Sequence, residues 1–126
     1  MNFIIKNILA IIVGITIGML VNMSLIIMGG KIFPFPSEAH FLDATNWEIK
    51  YFIFPFLAHA IGTLAGAFSS LKISKKIINP IIVGIYFLSG GIYMVLILPS
   101  PIWFICLDLI IAYIPMALLG WKLNNL

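Results

Sequence analysis

The chain has 126 residues, of which 63% are hydrophobic and only 9% are charged. A soluble domain carries about 25% charged residues because its surface faces water, so this composition excludes an ordinary soluble globular protein. The formal charge of +3 comes from lysines scattered along the chain. That scatter excludes the clustered basic face that nucleic-acid binding requires.

Four apolar segments predict four transmembrane helices, at residues 8–28, 51–71, 80–98 and 102–121. Each has the length of about 20 residues that a helix needs to cross the hydrocarbon core. The first segment is longer than the apolar region of a signal peptide, and no Ala-x-Ala-like cleavage site follows it. We therefore predict an all-α integral membrane protein, a four-transmembrane-helix bundle that forms a single domain over residues 1–126.

The lysines predict the orientation of the bundle. Cytoplasmic loops carry the excess of Lys and Arg, and most lysines lie on the side of the two termini and the 72–79 connection. This places both termini in the cytoplasm of a bacterial inner membrane, with residues 29–46 as an external loop. Those lysines are Lys6, Lys72, Lys75, Lys76 and Lys122, and the opposite side has Lys31 and Lys50.

Two ionisable side chains, His59 and Asp108, fall inside predicted spans. A charged side chain at the centre of a span costs about 2.5–3.5 kcal/mol on insertion scales, so such residues face the bundle and have a partner. The second and fourth spans run in the same direction, and helical rise places these residues about 12 Å and about 9 Å below the external boundary. The matched depth predicts a hydrogen bond between His59 and Asp108, directly or through one water.

Polar residues on the first and third spans lie at a similar depth to His59 and Asp108. Asn22 lies on the first span, and Ser89 and Tyr93 lie on the third. Ionisable residues at depth mark ion and proton pathways, although polar side chains also simply join membrane helices to one another. The candidate substrate- or ion-binding residues are Asp108, His59, Asn22, Ser89, Tyr93 and Thr63.

Glycines at four-residue spacing mark the first two spans, with Gly14 and Gly18 in one and Gly62 and Gly66 in the other. This spacing favours close helix packing. The alternative interpretation is that the small residues leave space for a substrate beside His59.

Proline and capping residues predict local features of the spans. Pro55 and Pro115 lie inside spans, and each removes a backbone hydrogen bond, so both positions predict kinks. The carbonyl freed at Ile111 could bind a cation or water. The spacing of Thr45 and Glu48 matches a capping box and predicts that the second helix begins there.

Enzyme and cofactor interpretations have weaker support. No nucleophile-elbow pattern accompanies the serines that could join His59 and Asp108 in a triad. One buried His, one buried Asp and His40 in the loop provide too few ligands for a typical zinc site. We predict no metal and no cofactor, and we do not favour an enzyme.

Three stretches resemble small uncharacterised bacterial inner-membrane proteins with four spans: HAIGTLAGA at 59–67, WFICLDL at 103–109 and YIPMA at 113–117. The resemblance implies the fold and the membrane but no activity. The chain is similar in size to small multidrug transporters and fluoride channels, but it lacks a first-helix glutamate and its lysines lie mainly on one side.

Three functional classes follow from these features. The first is a small transport or permeation protein, coupled to protons or ions through Asp108 and His59. The second is a non-catalytic accessory or assembly subunit, and the third is a membrane enzyme acting on lipid or quinone. In each class the lipid bilayer is the solvent, and we expect a homo-oligomer or a partner membrane subunit.

Overall fold

The computed structural model describes residues 2–37 and 42–126, so His40 lies outside the described residues. Four segments in these ranges are helical, long and apolar enough to cross a membrane, the fourth being formed by two consecutive helices. The predicted all-helical class with four such segments is therefore confirmed. The helices are α1 (Phe3–Ile32), α2 (Lys50–Ile73), α3 (Ile78–Ile97), α4 (Ile102–Ile111) and α5 (Ile114–Asn124), with a 3-10 turn at Ala44–Asn46.

Helix α1 is longer than the predicted first span at both ends. It begins at Phe3, where the side chain of Asn2 accepts a hydrogen bond from the Ile4 N–H at 2.8 Å. It ends at Ile32 and contains 30 residues, which corresponds to a length of about 45 Å. Since the hydrocarbon core is about 30 Å thick, α1 either tilts or extends beyond it.

The predicted capping box before the second helix is wrong. Asp43 accepts hydrogen bonds from both the backbone N–H and the hydroxyl of Thr45, and it caps the 3-10 turn at Ala44–Asn46. Thr45 is therefore part of the 3-10 turn, and α2 begins later, at Lys50, without a side-chain cap.

Helices α1 and α2 pack through their glycines, which confirms the close-packing interpretation. A Cβ atom on Gly66 would lie 2.5 Å from the carbonyl oxygen of Gly14, and one on Gly62 would lie 2.9 Å from that of Gly18. The two backbones are thus in direct contact over more than one helical turn. Only glycine permits this approach.

Helices α4 and α5 run parallel to α2 and antiparallel to α3. Along the parallel pair, Phe52 contacts Phe104 near one end and His59 contacts Asp108 further along. Helix α5 continues this packing, since a Cβ atom on Gly120 would lie 2.9 Å from the Leu64 carbonyl. This arrangement confirms the common direction of the second and fourth spans.

The two prolines inside the spans have different effects. Helix α2 continues through Pro55 without interruption. The fourth span is interrupted at Ala112 and Tyr113, immediately before the turn that contains Pro115. The kink predicted at Pro115 is therefore a break between two helices.

The two ends of the bundle differ in charge. We call the end with both termini and the 74–77 connection the lysine end, and the end with the 33–49 connection the loop end. A polar cluster joins three segments at the lysine end, where Asn7 accepts hydrogen bonds from Ser74 and Asn79. The assignment of the lysine end to the cytoplasm remains a prediction from the charge bias.

Candidate functional site

The carboxylate of Asp108 is hydrogen-bonded to the imidazole of His59. Nδ1 of His59 lies 2.8 Å from Oδ1 and 3.0 Å from Oδ2 of Asp108. When Asp108 is ionised, its carboxylate can only accept, so Nδ1 donates and Nε2 is the basic nitrogen of a neutral ring. The hydrogen bond predicted from matched depth is confirmed, and it is direct.

Tyr113 is a third member of this group that the sequence did not indicate. Its hydroxyl donates to Oδ2 of Asp108 at 3.0 Å, and its ring stacks against that of His59 with centroids 5.7 Å apart. Asp108 is therefore held by donors from two directions, and its side chain is only 7% exposed, against 23% for His59. We call Asp108, His59 and Tyr113 the triad.

The break before α5 places Tyr113 in the triad. In an uninterrupted helix, a residue five positions after Asp108 would point about 140° away from it. The non-helical backbone of Tyr113 (φ −116°, ψ −81°) turns the ring back toward α2 and α3. On α3 the ring lies against Gly91, where a Cβ atom would be 2.6 Å from the Tyr113 hydroxyl.

A cavity of about 670 Å³ connects the triad with the loop end, and we call it the vestibule. Its deep end is formed by Asn22, His59 and Asp108. This size lies within the range of ligand pockets, which are mostly apolar with a few convergent polar groups. Residues nearer the loop end are Phe33, Phe35, Trp47, Lys50, Phe54 and Ser100.

Aromatic side chains form the wall of the vestibule at the loop end. The ring of Phe35 stacks on Tyr51 with centroids 5.1 Å apart and lies 4.8 Å from Trp47. Phe52 joins this group to Phe104 at 4.5 Å. The backbone also contributes, since the Ala44 N–H donates to the Pro99 carbonyl at 2.8 Å and ties the 3-10 turn to the connection after α3.

Close packing separates the triad from the lysine end. A Cβ atom on Gly18 would lie 2.6 Å from the ring of Phe87. One turn further toward the lysine end, a Cβ atom on Gly14 would lie 2.7 Å from the Gly66 carbonyl and 3.1 Å from Val83. The packing of α1 against α2 and α3 therefore lies between the vestibule and the lysine end.

The other predicted site residues differ in their position relative to the triad. Asn22 lines the vestibule beside His59. Thr63 is fully buried, and its hydroxyl donates to the His59 carbonyl at 2.7 Å. This hydrogen bond lies within α2 and does not involve the triad side chains. The Ser89 hydroxyl likewise donates to the Tyr86 carbonyl at 2.6 Å, and Tyr93 is 61% exposed.

Ile111, whose carbonyl was considered above as a cation ligand, is not one of the residues that line the vestibule. It is 41% exposed. Pro115 has no N–H to donate to that carbonyl. The effect of Pro115 on the site is instead the placement of Tyr113.

The fold is that of a multi-pass membrane protein in which a buried carboxylate is hydrogen-bonded to a half-buried imidazole and a buried phenol beside a cavity. Comparison of the chain with protein-family models, curated proteins and solved structures finds no match. The site itself is therefore the basis for a functional proposal.

Proposed function

We propose that the chain is a small transport or permeation protein of a bacterial inner membrane, coupled to protons or ions. Asp108 is the binding carboxylate and His59 is its partner. The observation that carries this proposal is the vestibule, because it reaches both side chains from the loop end. Ionisable residues at membrane depth that meet a cavity are typical of ion pathways and proton relays.

The Asp108–His59 pair has two charge states that such coupling can use. Because Nδ1–H is held by the carboxylate, a proton that arrives through the vestibule binds at Nε2. The pair carries one negative charge when the imidazole is neutral and none when it is protonated. A cation in the vestibule is therefore favoured by the first state and disfavoured by the second.

Ion flux into liposomes tests the proposal. Purified protein is reconstituted, and proton, sodium and potassium fluxes are measured with entrapped indicator dyes across a range of pH and normalised to folded protein. We expect flux above that of empty liposomes, its loss in Asp108→Asn and a changed pH dependence in His59→Gln. Asn retains the shape of the carboxylate but not its charge.

Glu48→Gln is the matched control, because it also neutralises a carboxylate. The Glu48 side chain is 74% exposed and lies 3.8 Å from the Lys50 amine at the loop end. Its flux should equal that of the unmodified chain. Normal flux and an unchanged pH profile in Asp108→Asn would contradict the proposal, as would flux equal to that of empty liposomes for all three ions.

The second candidate is an accessory or assembly subunit of a membrane complex, in which the triad only joins helices. The observation that favours it is the hydrogen bonding of Asp108 within the chain by both His59 and Tyr113. In that case Asp108→Asn should lower thermal stability and leave any flux per folded molecule unchanged.

An enzyme acting on lipid or quinone has less support from the geometry. A serine nucleophile would need a hydrogen bond to the imidazole. The Ser89 hydroxyl donates instead to the backbone carbonyl of Tyr86, within its own helix.

A further inference from the structure

A second cavity, of about 440 Å³, lies between α1 and α3, and we call it the crevice. On its α1 side are Met19 and Asn22, and most of the other lining residues belong to α3. Toward the lysine end the two helices touch, since Phe87 packs against Gly18. The crevice lies on the loop-end side of this contact, where Asn22 of α1 and Gly90 and Met94 of α3 line it.

The crevice opens on the surface that the bundle presents to lipid. Tyr93 and Tyr86 line it and are 61% and 44% exposed. Gly90 also lines it, and a Cβ atom there would have no other atom within 4 Å. The Tyr86 hydroxyl lies 3.8 Å from the sulfur of Met19, so a contact between the two helices limits the gap on one side.

The crevice and the vestibule share His59, Asn22, Gly91 and Met94 in their walls. Nδ1 of His59 is hydrogen-bonded to Asp108, and the hydrogen bonds of the described residues include none to Nε2. The amide of Asn22 likewise has none in that part of the chain. A molecule in the crevice therefore reaches an imidazole nitrogen and an amide at the depth of the triad.

We propose that the crevice binds a membrane-dissolved amphipathic molecule, a hydroxyl on an apolar body, which enters from the lipid between α1 and α3. The inference rests on the proposed function, because it names the class of solute that the same site handles.

Three features of the crevice indicate a ligand with a hydroxyl on an apolar body. Its wall is largely apolar and includes aromatic rings of α3, which suit an apolar body. Among the described residues that line it there is no Lys, Asp or Glu, so a charged group on the ligand would have no opposite charge beside it in that part of the wall. Nε2 of a neutral His59 accepts a hydrogen bond, which matches a hydroxyl donor.

Entry from the bilayer follows from the solubility of such a molecule. An apolar body partitions strongly into hydrocarbon, by about 0.8 kcal/mol per buried CH₂ group. Its concentration beside the exposed opening of the crevice is therefore far higher than in the water beyond the loop end. Because the hydroxyl would donate to Nε2, the nitrogen at which a proton would bind, an occupied crevice competes with protonation of the imidazole, which connects this ligand to the proton chemistry of Asp108.

Equilibrium binding to the protein in lipid nanodiscs tests the inference, with 4-octylphenol as the probe and empty nanodiscs as the blank. We expect saturable binding that is at least tenfold weaker for 4-octylanisole, which retains the oxygen and the apolar body but lacks the donor. His59→Gln should also weaken binding of the phenol at least tenfold. Equal affinities for the two probes, or no saturable binding, would overturn the inference.

Gly90→Leu and Gly30→Leu distinguish entry through the crevice from entry through the vestibule. Both substitutions should be tolerated, because a Cβ atom at either position has no other atom within 4 Å. Gly90 lines the crevice and Gly30 lines the vestibule. We expect Gly90→Leu to weaken binding at least tenfold and Gly30→Leu to change it less than threefold. The reverse result would place the ligand in the vestibule and contradict entry from lipid, while the flux assay with Asp108→Asn would still decide the proposed function.

Discussion

The hydroxyl of Tyr113 lies 2.6 Å from the place that a Cβ atom on Gly91 would occupy. The glycine on α3 thus forms a notch for the phenol that donates to Asp108. The notch and the break before α5 together position the Tyr113 ring. The hydrogen bonding of Asp108 therefore depends on Gly91, although Gly91 does not touch the carboxylate.

Gly91→Ala should destabilise the protein by displacing Tyr113. Overpacking of this kind costs about 1–3 kcal/mol, measured as the free energy of unfolding in detergent. Gly90→Ala is the matched control, because its added methyl group has no other atom within 4 Å. Equal stability of the two variants would show that the ring moves freely away from α3.

Tyr113→Phe should lower the free energy of unfolding by about 1–2 kcal/mol, since it removes an interhelical hydrogen bond to a carboxylate. The loss should be smaller in an Asp108→Asn background, because the two side chains act together. Tyr93→Phe removes a hydroxyl from a largely exposed side chain and should have no effect. Additive effects of Tyr113→Phe and Asp108→Asn would contradict the coupling.

Gly66→Ala should separate α1 from α2. Its methyl group would lie 2.5 Å from the backbone oxygen of Gly14, and a backbone cannot rotate out of the way as a side chain can. We expect a loss of about 1–3 kcal/mol in unfolding free energy. Gly30→Ala, where the added group meets nothing within 4 Å, should be as stable as the unmodified chain.

The orientation can be tested by thiol labelling in a Cys106→Ala background, because Cys106 is exposed. In intact cells an impermeant thiol reagent should label Ser37→Cys and should not label Lys75→Cys. Permeabilised cells should label both. The opposite pattern would place the termini outside and would reverse the side from which the vestibule is entered.

The sequence alone determined the four helices and the central hydrogen bond of the site. Four apolar segments of bilayer length leave few alternatives to a helical bundle. The rise of an α-helix is fixed, so the positions of His59 and Asp108 in two parallel spans already placed them at one depth. The glycine contacts between α1 and α2 were predictable because small residues at four-residue spacing share one helix face.

The tertiary structure decided the rest of the site. Tyr113 joins Asp108 only because the helix breaks before Pro115, and the sequence indicated a kink there without giving the direction of the ring. The predicted capping box required the Thr45 N–H to donate to Glu48, but it donates to Asp43, because Asp43 caps the 3-10 turn. The vestibule and the crevice both lie on the loop-end side of the contact between Gly18 and Phe87. Their positions depend on how side chains of distant segments pack together, which the sequence alone did not give.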